Sequence, residues 1–184
     1  MRKLDVEIEL QTIINSFDLF VSDFFNWVLS QDPEDPNLKD KIRKEDSSLG
    51  KVARRTSVKE FLISFVKCPD RNLIYFLYFY YIKNYQNIIN GIPSLSSNFS
   101  KETKDLLENC FKYFYETLVD KKTFQQNYLP TYNGPQELKR EIRKRFGKRK
   151  VCPYCDYHNI SHEDYSSIDH FLPKSRFPFL SIFS

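Results

Sequence analysis

Glycine is scarce in this chain of 184 residues, with only four present. That scarcity argues against a turn-rich all-β fold and toward helices. No apolar run approaches the length of a bilayer crossing; the longest, Leu73 to Ile82, is about half a span. The N-terminus alternates charged and apolar residues and lacks the uninterrupted apolar region of a secretion signal. With four cysteines and no such signal, the expectation is a soluble cytoplasmic protein in a reducing compartment. There is no internal repeat and no low-complexity segment. Histidine is absent from the whole of the chain before His158, so most of the sequence lacks the commonest acid–base side chain.

Aromatic residues, by contrast, are abundant. Hydrophobic residues make up 41% of the chain, with 17 Phe and 12 Tyr, which is ample for a packed core and excludes disorder throughout. The net charge is +4, and its placement is uneven. Between Glu137 and Lys150 eight Lys or Arg stand against two Glu, a concentration expected beside a polyanion site. The plainer reading of such a run is a solvated helix face.

Apolar residues at Leu10, Ile13, Ile14, Phe17, Val21, Phe24, Phe25 and Val28 follow a three-four spacing. They predict an amphipathic helix over about 4–30 that ends before Asp32-Pro33. Residues 31–56 lose that period, carry two acidic-Pro breaks, and read as a charged linker or loop. Ser57 and Glu60 fit a capping box that opens a helix through Phe61, Leu62, Phe65 and Val66. Asp70 is placed to cap a helix over about 71–90 that closes at Gly91. Its apolar residues Leu73, Ile74, Phe76, Leu77, Tyr80 and Tyr81 cover most of its circumference, as in a central bundle helix. Ser100 caps a further helix with the face Leu106, Leu107, Cys110, Phe111, Phe114 and Leu118. After a polar connection, Pro135 starts a basic helix that Gly147 ends, with Leu138, Ile142 and Phe146 on one face. Cys68 and Cys110, set among apolar residues at helical spacing, read as buried core thiols.

The chemistry concentrates near the C-terminus. All three histidines and two of the four cysteines lie between Cys152 and His170. Cys152-Pro153-Tyr154-Cys155 has the two-residue spacing with which a knuckle directs two thiolates at one tetrahedral zinc. A redox reading of that spacing would want a βαβ context, which this sequence lacks. Cys152, Cys155, His158 and His162 together form C-x2-C-x2-H-x3-H, but the gap between its halves is far shorter than in a zinc finger, so His158 and His162 read first as residues of an exposed loop without function, and a compact zinc knuckle is the alternative.

Further on stands the run Ile168-Asp169-His170-Phe171-Leu172-Pro173-Lys174-Ser175-Arg176-Phe177-Pro178. Together with the upstream cysteine pair, it resembles the opening of the HNH endonuclease module, the ββα-metal fold. The resemblance spans about residues 150–184 and does not involve the helical part. It implies that Asp169 is a ligand to a catalytic Mg²⁺ or Mn²⁺, since a hard carboxylate oxygen suits those ions. It implies that His170 is the general base acting on water. Cys152 and Cys155 would hold a structural zinc. Lys174 and Arg176 would grip the DNA backbone, joined by Lys139, Arg140, Arg143, Lys144, Lys148 and Arg149. Nucleases of this kind are often found in bacterial defence or restriction systems, some beside a partner ATPase. The resemblance therefore implies antiviral defence, with DNA as substrate and an ATPase or second subunit as partner.

In that family an Asn follows the Phe-Pro segment, then a second CxxC and a helix carrying the last metal ligand. The sequence stops at Ser184, ahead of these, so the expectation is a fragment of a longer nuclease. A degraded gene that keeps a binding role, or completion by a second polypeptide, are the alternatives. The expected architecture is thus mainly α, with a helical domain over 1–147 and an incomplete ββα-metal module over 148–184. The competing function is a non-catalytic helical interaction or DNA-binding protein with a zinc-stabilised tail.

Overall fold

The three-four spacing near the N-terminus produces the long helix around which the rest of the bundle packs. The computed structural model describes residues 8–82, 99–132 and 137–138. Among these residues the chain is mainly helical and contains no strand. Helix α1, Ile8–Ser30, buries Ile13, Phe17, Phe20, Val21, Phe24, Phe25 and Val28. Phe20 and Trp27 extend the buried stripe beyond the residues that the spacing alone singles out, because α1 is covered by neighbours on several sides. The helix stops where Ser30 Oγ donates back to the Trp27 carbonyl at 2.8 Å.

Residues 31–56 correct the expectation of a linker or loop. Asp32 and Asp35 each accept from a backbone N–H two residues on, at 3.0 and 2.7 Å, and so build the turn after α1. That turn delivers α2, Leu38–Lys44, and α3, Ser48–Ala53, the latter capped by Ser47 Oγ accepting from Gly50 N at 3.2 Å. Leu38, Ile42, Leu49, Val52 and Ala53 are all buried. Each helix is too short to show a full apolar period, and isolated helices of that length are not stable in water. Their stability comes from burying those five side chains against the bundle.

Helix α4, Val58–Val66, forms as expected and buries Leu62, Phe65 and Val66, with Val58 buried in addition and Phe61 only partly covered, but its start differs. The Ser57 side chain makes no capping bond. Instead Val58 N donates to Thr56 Oγ1 at 3.3 Å, and Ser57 N donates to the Tyr113 hydroxyl at 3.3 Å. Helix α5, Arg71–Ile82, follows directly. Arg71 Nη1 donates to the carbonyls of Gln31 and Val66, both at 3.0 Å, and so binds the ends of α1 and α4 to the start of α5. In α5 Ile74 is buried, Phe76 is 56% exposed, and the helix packs against α1; the side chains of Leu77, Tyr80 and Tyr81 lie outside the described residues. Gly91 and the expected end of that helix lie outside the described residues.

Helix α6, Lys101–Glu116, begins as expected, with Ser100 Oγ accepting from Thr103 N at 3.1 Å. Leu107, Cys110, Phe111 and Phe114 are buried along its face, and Leu118, expected on the same face, is buried just past the helix end. The polar connection expected next contains a 3-10 turn, Leu118–Asp120, and a further helix, α7, Lys122–Tyr128. Phe124 and Tyr128 bring α7 into the core, and the buried Gln125 is satisfied by donating to the Val119 carbonyl at 3.0 Å. The centre is aromatic. The Phe20 ring meets Phe114, Phe124 and Tyr128 edge-on at 4.9, 5.3 and 5.2 Å, and Phe24 meets Phe65 and Phe114 at 5.5 and 5.4 Å. Edge-on pairs at these distances each add roughly 0.5–1.5 kcal/mol beyond their buried area. No described helix is long and apolar enough to cross a membrane.

Candidate functional site

Leu138 is fully buried in the core of the helical domain, and the sequence-predicted site residues follow it in the chain. The residues themselves lie beyond it. Lys139, Arg140, Arg143, Lys144, Lys148, Arg149, Cys152, Cys155, Asp169, His170, Lys174 and Arg176 are all outside the described residues. The incomplete ββα-metal module expected over 148–184 lies outside them as well, as do His158 and His162.

Within the described helices, polar side chains meet at a few defined places. The largest such cluster joins the loop before α5 to the start of α6. Thr103 Oγ1 donates to Asp70 Oδ2 at 2.7 Å, Ser100 Oγ lies 3.2 Å from the same hydroxyl, and Cys68 Sγ lies 3.6 Å from it. Thr103 is buried, so these contacts satisfy a hydroxyl that would otherwise cost free energy. A hydroxyl beside a carboxylate is one part of a nucleophilic site, but the helical domain supplies no histidine to take the proton onward. The sequence reading that Asp70 caps α5 is therefore refined: its carboxylate joins α5 to α6.

The two described cysteines are both buried, as expected for core thiols. Burial pushes the Cys110 thiol well above its ordinary value, which holds it protonated and unreactive. Tyr128 and Asp23 form a second polar contact, with burial and the neighbouring carboxylate together raising the phenol. Among the described residues no group of three or more His, Cys, Asp or Glu is arranged to hold a metal ion. These contacts serve to position helices.

No family model, curated protein or solved structure matches the chain.

Proposed function

We propose that this chain carries part of a metal-dependent endonuclease site of the HNH type, acting on DNA, mounted on a helical domain. One observation carries this reading: Asp169-His170 stands inside the ordered run Ile168 to Pro178, downstream of a Cys152–Cys155 pair, in a chain with only three histidines. Each residue type fits a need of phosphodiester hydrolysis. A divalent cation held in part by Asp169 would neutralise charge on the scissile phosphate. The imidazole of His170 accepts the proton of the attacking water. Lys174 and Arg176, with the cations between Lys139 and Arg149, hold the sugar–phosphate backbone in register. Cys152 and Cys155 supply two thiolates to a structural zinc that would brace the loop ahead of Asp169. A role in bacterial antiviral defence beside a partner ATPase belongs to the same proposal.

The test is nicking of supercoiled plasmid with Mg²⁺ or Mn²⁺, by this chain and by the product of the reading frame that contains it. Metal-dependent nicking that His170→Ala abolishes, with helical content unchanged, supports the assignment. Nicking that survives His170→Ala would remove His170 as the base. DNA binding without cleavage by either form would favour the non-catalytic reading, in which the helical domain and zinc-braced tail recognise rather than cut.

A further inference from the structure

The positive charge of the chain lies in two segments rather than one. Besides the basic run at 137–150, residues 39–55 hold seven Lys or Arg against three Asp or Glu. All remaining residues together carry 13 Lys or Arg against 19 Asp or Glu, so both segments stand out from an acidic background. In the sequence the second segment looks diffuse, because its cations are split between two separate stretches. The fold joins them. Arg54, just after α3, donates from Nη1 to the Arg43 carbonyl at 3.1 Å and to the Glu45 carbonyl. That contact sets the C-terminal end of α2 against the C-terminal end of α3, and Arg43, Lys44, Lys51, Arg54 and Arg55 are all exposed there.

Three carboxylates, Asp40, Glu45 and Asp46, stand near these five cations and leave an excess of two; Glu45 Oε1 accepts from Ser47 N at 3.3 Å. Asp40 is engaged by Arg43 at 3.3 Å, and Asp46 by Lys51 at 3.6 Å, both pairs being solvent-exposed and therefore weak. Among the described residues, Lys44 and Arg55 have no carboxylate partner. Some of this charge complements the negative ends of two helix dipoles. Two helices of seven and six residues do not require five cations for that purpose.

The character of the face narrows the partner. A lipid-inserting surface or a protein hot spot needs exposed apolar or aromatic anchors. The large exposed hydrophobic side chains among the described residues are Leu19 and Phe76, on α1 and α5 and not on this face. Clustered guanidinium and ammonium groups without such anchors suit a polyanion held by its backbone. We infer that the α2–α3 face, through Lys44, Lys51 and Arg55, is a second DNA-phosphate contact surface on the helical domain. The inference rests on the nuclease reading for its choice of DNA, but it concerns binding and not cleavage. It would let the helical domain hold a length of duplex away from the cutting site.

The experiment measures affinity for a short labelled DNA duplex by fluorescence anisotropy, across about 50–200 mM salt, with no Mg²⁺ or Mn²⁺ added. The triple variant Lys44→Gln, Lys51→Gln, Arg55→Gln spares Arg54, whose side chain braces α2. The slope of log affinity against log salt is expected to fall by about 0.9 for each phosphate contact removed, up to about 2.7. A control triple, Lys101→Gln, Lys104→Gln, Lys112→Gln, takes the same charge from exposed positions on α6 and should leave the slope unchanged. Equal slopes for the α2–α3 triple and the parent overturn the inference, as does an equal loss in the control, or no duplex binding by the parent. Circular dichroism of each variant establishes that the helices are intact. Duplex binding that the α2–α3 triple weakens, when neither this chain nor the product of the reading frame that contains it nicks plasmid, upholds the surface while removing the nuclease reading.

Discussion

The Tyr128 hydroxyl donates a 2.9 Å hydrogen bond to Asp23 Oδ2, tying α7 to the middle of α1 across 105 residues of sequence. Tyr128 is buried and its ring also packs against Phe20 and Phe124, so one side chain supplies both apolar contact and a polar interhelix tie. Burial first, then the Asp23 carboxylate, raise the phenol above its ordinary value of about 10. The sign of the pH effect follows. Below about pH 10 the phenol is protonated in both folded and unfolded chains, and the contribution to stability is present in full. Above that, the unfolded chain loses the proton first, so stability falls as pH rises toward the folded value. Urea melts of the parent should lose stability above about pH 10 more steeply than those of Tyr128→Phe. At neutral pH the Phe variant is expected to be weaker by about 1 kcal/mol, the usual net value of one hydrogen bond. Identical alkaline slopes would show that Tyr128 does not drive the effect.

Phe20 sits where α1, α6 and α7 meet, fully buried among Phe24, Phe114, Phe124 and Tyr128. Phe20→Ala removes the ring and leaves a cavity lined by other rings that cannot collapse into it. A cost of about 3–5 kcal/mol is expected. Set against a typical domain stability of about 5–15 kcal/mol, that is a large share. Thermal melting should show a loss of many degrees, whereas Leu19→Ala, one residue away and 55% exposed, should change little.

Gly50 marks the tightest approach between α3 and the chain that precedes it. A Cβ built there would clash with the Glu45 carbonyl oxygen and stand 2.8 Å from its carbon. Both are backbone atoms, so relief requires moving the turn that the Ser47 cap and Arg54 hold in place. Alanine would gain about 1 kcal/mol of helix propensity over glycine. The clash is expected to outweigh that gain, leaving Gly50→Ala less stable by about 1–3 kcal/mol in denaturant titration. A neutral or stabilising result would mean that α3 shifts freely, and that Arg54 does not pin it.

Two serines that look alike in sequence should behave differently on substitution. Ser100 Oγ accepts from Thr103 N, and Ser100→Ala is expected to cost about 1 kcal/mol, a common value for a lost cap. Ser57 makes no side-chain capping bond, so Ser57→Ala should lie within about 0.5 kcal/mol of the parent. Thermal or urea melting of the two variants, side by side, reads the contrast directly.

The same contrast shows what the sequence reveals and what it hides. Helices α1, α4 and α6 were legible because each repeats the three-four spacing over at least nine residues. Helices α2, α3 and α7, of six or seven residues, were not. Pairs such as Leu38 with Ile42, or Phe124 with Tyr128, carry too little period to separate a helix from a loop, and tertiary burial decides. The Ser57–Glu60 pattern fits a capping box, yet Thr56 and the distant Tyr113 hydroxyl take the first backbone donors instead. Of the candidate site, the sequence supplies residue types and spacing, with histidine and the paired cysteines concentrated in one short stretch that lies outside the described residues. Their mutual geometry was not legible, because spacing alone does not position side chains. The basic α2–α3 face was hidden for a related reason: its cations become one surface only when Arg54 brings two short helices together.

The four cysteines provide the sharpest separation between the helical domain and the proposed zinc knuckle. Cys68 and Cys110 are buried, Cys68 beside Thr103 and Cys110 fully enclosed on α6. Neither has a described neighbour set able to hold a metal. Cys152 and Cys155 have the two-residue spacing that suits one zinc. Zinc content, measured on purified protein by elemental analysis, is therefore predicted to drop on Cys152→Ser or Cys155→Ser. It should be unchanged by Cys68→Ala, a substitution that removes only a buried sulfur and about 1 kcal/mol of packing. The thiol reagent assay gives the complementary result. Native protein should expose no fast-reacting thiols while zinc is bound, and chelation should release two, because metal thiolates are shielded until the ion is removed. Zinc that persists in Cys152→Ser at the parental level would remove the knuckle from the proposal. It would also take away the brace expected ahead of Asp169 and His170, leaving those two residues to be tested by nicking alone.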